Sequence, residues 1–137
     1  MRYDQLIQLY FERSGALQGY WTLYVVVIGG LLAFSSIRKQ RDVITAILVS
    51  ALFCCFAYKN LDAIHDVVLQ RQAVLQEIRA ASSQEGTGFS EMNATLVSTD
   101  YDGVRIFHVA SDALTLAAVW AMELRRWRAS KKLGIGI

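Results

Sequence analysis

The chain has no proline among its 137 residues, so no pyrrolidine ring interrupts a helix and no proline kink marks a gate. Cysteine is nearly as scarce. The two present, Cys54 and Cys55, are neighbours inside an apolar run, and adjacent helical side chains diverge too far to bridge. They are read as small apolar packing groups. No CxxC pair or His-rich tract suggests zinc or haem, so no metal or cofactor is expected. Charge is sparse, at 19% of residues. The cations flank apolar runs instead of alternating with aromatics along one face, which argues against a nucleic-acid partner. Neither a phosphate-cradling glycine loop nor a distinguishable Ser/His/Asp arrangement occurs, and an enzyme is not expected.

What the chain has in abundance is apolar side chains, at 54% of residues with a mean hydropathy of +0.31. They gather into runs that match the about 20 residues needed to cross a bilayer. The fold expected is an all-α membrane bundle of three helices forming a single domain. Residues 17–37 carry no formal charge and form the first span, too long for a signal-peptide core and followed directly by basic residues. Residues 43–62 form the second span, and helical periodicity continues through residues 63–81 as an extension outside the membrane. Residues 104–124 form the third and least apolar span. A short amphipathic helix within residues 1–16, carrying Leu6, Ile7, Tyr10 and Phe11, is expected to lie on the outer interface. Residues 82–103 read as an outer loop, since Ser82, Ser83, Gly86, Thr87 and Gly88 are of turn type.

Orientation follows from the cations. Arg38, Lys39 and Arg41 crowd the first connection, and Arg125, Arg126, Arg128, Lys131 and Lys132 begin the tail of residues 125–137. Short basic segments stay in the cytoplasm. The N-terminus is therefore expected outside and the C-terminus inside. Tyr20, Trp21, Tyr24, Trp120 and Trp127 read as interfacial anchors. A bacterial inner membrane is the expected location, because the chain is compact and carries no organelle address.

Three sets of residues stand out. Leu61, Ile64, Val68, Leu75 and Ile78 repeat at helical spacing on the outer extension and form a stripe that calls for a partner. Gly29 and Ala33 in the first span, Ala46 and Ser50 in the second, and Ala113, Ala117 and Ala121 in the third form small-residue tracks of the kind that lets helices approach closely in lipid. His108, Asp112, Thr115 and Glu123 share one sector of the third span. Asp112 lies roughly 12 Å inside the outer end at the helical rise, where a carboxyl needs compensation. Lys59 is the expected partner, with His108 adjacent. The cluster Lys59, His65, His108 and Asp112 is either a buried network that fixes helix register or a proton or metal site. Glu123 reads as an interfacial carboxylate near Arg126 and Arg128. Partners expected are membrane lipid and a second copy or another membrane protein. Two functions fit: a non-catalytic subunit or assembly factor of a membrane complex, or a small oligomeric channel or ion-coupled transporter.

Overall fold

The computed structural model describes residues 3–85 and 95–132, and among them only helices occur as regular structure. Helix α1 spans Tyr3–Ile37, α2 Val43–Glu85 and α3 Tyr101–Lys132. With no proline to stop it, α2 runs for 43 residues, about 64 Å at the helical rise and twice the ~30 Å hydrocarbon thickness of a bilayer. The short 38–42 connection makes α1 and α2 antiparallel neighbours. It also gathers the cations of that connection beside the C-terminus of α3, forming a basic end; the other end is called distal below. All three helices are long and apolar enough to cross a membrane.

Local chemistry fixes the helix starts. Asp42 caps α2, its Oδ1 accepting the Thr45 amide at 3.0 Å while the Thr45 hydroxyl bonds Oδ2. Together with Arg38, these bonds hold the Asp42 carboxyl below its ordinary value. Asp100 caps α3 through the amides of Asp102 and Gly103, at 3.2 and 3.1 Å.

The helices meet along seams that repeat every three and four residues. Along α1 the buried positions are Leu6, Tyr10, Leu17, Tyr24, Leu31 and Ser35, a heptad pattern that runs unbroken from the distal end to the basic end. The N-terminal segment is thus the same helix as the first span, where a separate short helix was expected. Because α1 continues, it covers the stripe on α2. Ile64 and Val68 pack with Leu17, and Leu75 and Ile78 pack with Leu6, Tyr10 and Leu96. Leu61 is half-buried. The partner that the stripe requires is this chain's own first helix, which corrects the expectation of an open contact face. A third cluster, Leu31, Phe53, Ala57 and Val119, joins all three helices nearer the basic end.

The small-residue tracks divide. Ala46 is buried and Ser50 half-buried on α2, but Ala33, Ala113, Ala117 and Ala121 are exposed, and nothing lies within 4 Å of a Cβ built on Gly29. Within this chain those five residues do not mediate helix contact. The reason is the rotation of α3: its polar sector turns inward, so the alanines opposite it face out. Helix α2 continues to Glu85, past the expected end at residue 81. The Gly86–Gly88 part of the expected loop and residues 133–137 of the tail lie outside the described residues.

Candidate functional site

Buried and half-buried polar side chains between the helices form three layers. The central layer draws on every helix. Tyr24 of α1, with its ring 2% exposed, donates its hydroxyl to Asp112 Oδ1 at 2.8 Å, with the His108 carbonyl also in reach at 3.2 Å. Asp112 Oδ2 lies 2.9 Å from His108 Nδ1, one helical turn away. His108 is fully buried, and its Nε2 lies 3.2 Å from Asn60 Nδ2 of α2. The Asn60 amide and the Asp112 carboxyl thus engage the two ring nitrogens of His108 from opposite sides. The result is one hydrogen-bonded chain, Asn60 to His108 to Asp112 to Tyr24. The Tyr24 ring also stacks on the imidazole, with centroids 4.0 Å apart and an interplanar angle of 31°. Along α3, Asp112 stands roughly 18 Å from Leu124 at the helical rise, well inside the apolar span.

At the distal end Arg71 of α2 forms the second layer. Its guanidinium bonds the Tyr10 hydroxyl, the Thr99 hydroxyl and the Val97 carbonyl, the last at 3.1 Å, and stacks 4.7 Å above the Tyr10 ring. Tyr10 in turn donates to the Val97 carbonyl at 3.1 Å. One planar cation thereby ties α1, α2 and the strandless segment before α3.

The third layer lies at the basic end. Arg126 of α3 donates to the carbonyls of Ser35 and, at 2.8 Å, Arg38, which close α1. It also pairs with Glu123 Oε2 at 3.0 Å. The other Glu123 oxygen accepts the Asp42 amide at 2.9 Å. A cation on a helix C-terminus and a carboxylate on a free amide are both favourable placements. Glu123 does pair with Arg126, but as a buried brace, 4% exposed, that locks the α1–α2 turn.

The residues singled out by spacing are only partly brought together. His108 and Asp112 are joined as expected. Lys59 is not with them: its side chain is 75% exposed and pairs with Asp62 at 3.4 Å. Adjacent residues on a helix point about 100° apart, so the turn that sends Asn60 inward sends Lys59 out. His65 lies apart from the cluster, its ring 4.2 Å from Tyr101. Tyr24 faces inward instead of anchoring at an interface. Asn60, Tyr24 and Arg71 are the participants that spacing of ionisable groups did not reveal, although Tyr24 falls seven residues from both Leu17 and Leu31 on the α1 seam.

Chemically, the central chain leaves neither ring nitrogen of His108 facing open space. Asn60 Oδ1, Ser50 Oγ and Arg71 Nε are buried without a partner, and each costs about 1 to 3 kcal/mol. Among the described residues no group of three His, Cys, Asp or Glu side chains could hold a metal ion. Two clefts lie elsewhere. One of about 350 Å³ sits at the basic end, lined by Ser36, Arg38, Met122, Arg125, Arg126 and Ala129. The other, about 460 Å³ and apolar, runs between α1 and α2 past Phe34 and Phe53.

The fold and these layers define a helical bundle of membrane-spanning length, laced by buried polar side chains. Comparison with protein-family models, with curated protein sequences and with solved structures finds no match for the chain.

Proposed function

We propose that the chain is a multi-pass protein of a bacterial inner membrane, N-terminus outside and C-terminus in the cytoplasm, that serves as a non-catalytic subunit or assembly factor of a membrane complex. The observation that carries this reading is the inward rotation of α3. His108, Thr115 and Glu123 are 0%, 5% and 4% exposed, so the polar face of the least apolar span is used up inside a single copy. A pore made by several copies needs its polar faces at the boundary between them. Here that boundary would be apolar, with Leu114 at 71% and Phe107 at 62% exposure. Such a surface suits lipid or another apolar helix, and the paired α1–α2 stalk beyond it offers a rigid polar face carrying Asp62, Asp66 and Gln70. The gathering of both basic segments at one end supports the orientation.

Two measurements test the proposal. In a chain with Cys54 and Cys55 replaced, Gln70→Cys should react with an impermeant thiol reagent added to intact cells and Lys39→Cys should not; the reverse pattern overturns the orientation. Photo-crosslinking residues placed at Gln70 and Ala117 should give one dominant adduct with a different protein in native membranes. A conducting ring of identical chains would overturn the subunit reading, as would a monomer without adducts.

A further inference from the structure

We infer that the cleft at the basic end, between the closing turn of α1 and the last turns of α3, is a binding site for the phosphate group of an anionic phospholipid. The inference rests on the chain spanning a membrane and not on its having a protein partner.

The site is assembled from groups that the fold leaves available. Each nitrogen of Arg126 makes one bond, to Arg38, Glu123 and Ser35, so it forms a fixed wall. Both carboxylates at this end are occupied as well, Glu123 by Arg126 and the Asp42 amide, and Asp42 by Thr45 and Arg38. What remains is cationic. Arg125 is exposed and has no hydrogen-bond or ion-pair partner among the described residues. Arg38 is held 5.8 Å over the Phe34 ring and turns Nη2 to Asp42, 2.9 Å from its carbonyl and 3.7 Å from its carboxylate, while Nη1 and Nε make no hydrogen bond among the described residues. It lines both this cleft and the neighbouring one formed with Lys39 and Arg41. The Ser36 hydroxyl has only the Met122 sulfur at 3.5 Å as acceptor, a weak one that a phosphate oxygen would displace. Two guanidinium groups and a hydroxyl around a cleft of about 350 Å³ match the demands of a phosphate monoanion or diester.

Position selects the lipid over a free anion. Ser36 and Arg38 bracket the last residue of α1, and Arg125 follows directly on the apolar span of α3, so the cleft lies at the level of lipid headgroups. An apolar track adjoins it. One and two turns back from Ser36 on the same side of α1 come Leu32 and Gly29, and one turn back from Met122 on α3 comes Ala118. Gly29 has open space around it, where an acyl chain can lie against the backbone. Basic pockets between helices at a membrane surface recognise anionic headgroups in this way. A choline headgroup brings its own cation toward Arg125 and is disfavoured.

The test uses the full chain in mild detergent, with membrane integration first confirmed by resistance to carbonate extraction, so that failure to span is seen separately. Native mass spectrometry with equal amounts of phosphatidylglycerol and phosphatidylcholine should show retention of the former over the latter. Arg125→Gln, at an exposed unpaired position, should lower phosphatidylglycerol retention about fivefold, the factor expected for one cation at an anionic membrane surface. Arg105→Gln, at the distal end, should leave it unchanged. Equal retention of the two lipids by the parent chain overturns the inference without reference to any variant. Equal losses in Arg125→Gln and Arg105→Gln overturn it in favour of diffuse charge attraction. Displacement of phosphatidylglycerol by millimolar inorganic phosphate would make the cleft a free-anion site and overturn the lipid assignment.

Discussion

Tyr24→Phe removes one hydroxyl from the centre of the bundle and leaves the ring in place on His108. The lost bond, 2.8 Å from Asp112, joins α1 to α3 inside the apolar span. Hydrogen bonds between membrane helices contribute about 0.6 kcal/mol on average and about 1.7 kcal/mol at most. Burial and a carboxyl acceptor place this one toward the upper part of that range. The single change also strips Asp112 of one of its two partners, so its raw effect mixes the bond with the cost of leaving an oxygen unpaired. A double-mutant cycle with Asp112→Asn separates the two. The four proteins are unfolded with SDS in mixed micelles and followed by tryptophan fluorescence; Trp21, 5.8 Å from Tyr24 and 6.0 Å from His108 by ring centroids, reports the site directly. The expected coupling is about 1 kcal/mol or more within that range. A parallel cycle of Lys59→Gln with Asp112→Asn should be additive to within about 0.3 kcal/mol, because Lys59 points away from the carboxyl. Additivity in the Tyr24 cycle, or coupling in the Lys59 cycle, would refute the geometry of the central layer.

Other perturbations read the other layers. Val68→Glu, at a position 1% exposed, should cost about 3 kcal/mol or more by placing a charge without a partner between α1 and α2. Hydrogen exchange should then show residues 3–16 and 61–78 opening together, while Leu69→Glu, 50% exposed, stays within about 0.5 kcal/mol of the parent. Arg126→Gln should lower stability by about 3 to 5 kcal/mol by stranding Glu123, and the double variant Arg126→Gln/Glu123→Gln should recover part of the loss. Asp42 gives a pH signature: its carboxyl is held below the ordinary aspartate value of 3.8, so its stabilisation is present above that pH and fades as pH falls through the lower folded value. SDS unfolding curves of the parent and Asp42→Asn should therefore diverge above about pH 4 and converge in stronger acid; a constant difference would show that the cap does not depend on ionisation.

The three spans were legible because bilayer thickness imposes a length on apolar runs, and the absence of proline made α2 readable as one continuous helix. The α1 segment before Leu17 was harder. Over residues 1–16 alone, Leu6, Ile7, Tyr10 and Phe11 fit a surface helix as well as a buried seam. Only the register carried on through Leu17, Tyr24 and Leu31 tells them apart, and that register is diluted by the apolar residues surrounding it on every side in the span. The same dilution hid the destination of the Leu61 to Ile78 stripe: a stripe announces that it needs a partner, but the identity of the partner lies in the relative rotation of two helices.

The central layer shows why ionisable residues alone are a poor guide to a buried site. Lys59 was attractive because it is the cation nearest in level to Asp112, yet level along a helix leaves azimuth open, and the seam on α2 runs through Phe53, Ala57, Asn60, Ile64 and Val67 at spacings of four and three. Those spacings admit Asn60 and turn Lys59 outward. A neutral amide and a phenol are also the less costly way to meet a buried carboxyl and imidazole, since neither adds a second charge to be desolvated. The same reasoning applies to Arg126 and Glu123, where the free carbonyls at the end of α1 and the free Asp42 amide reduce that cost. The Arg126–Glu123 ion pair therefore braces the basic end, while in the middle the His108–Asp112 pair is met by a neutral amide and a phenol. Among the arginines of the basic end Arg125, without an ion-pair partner among the described residues, lines the cleft where an anionic lipid can supply the opposite charge.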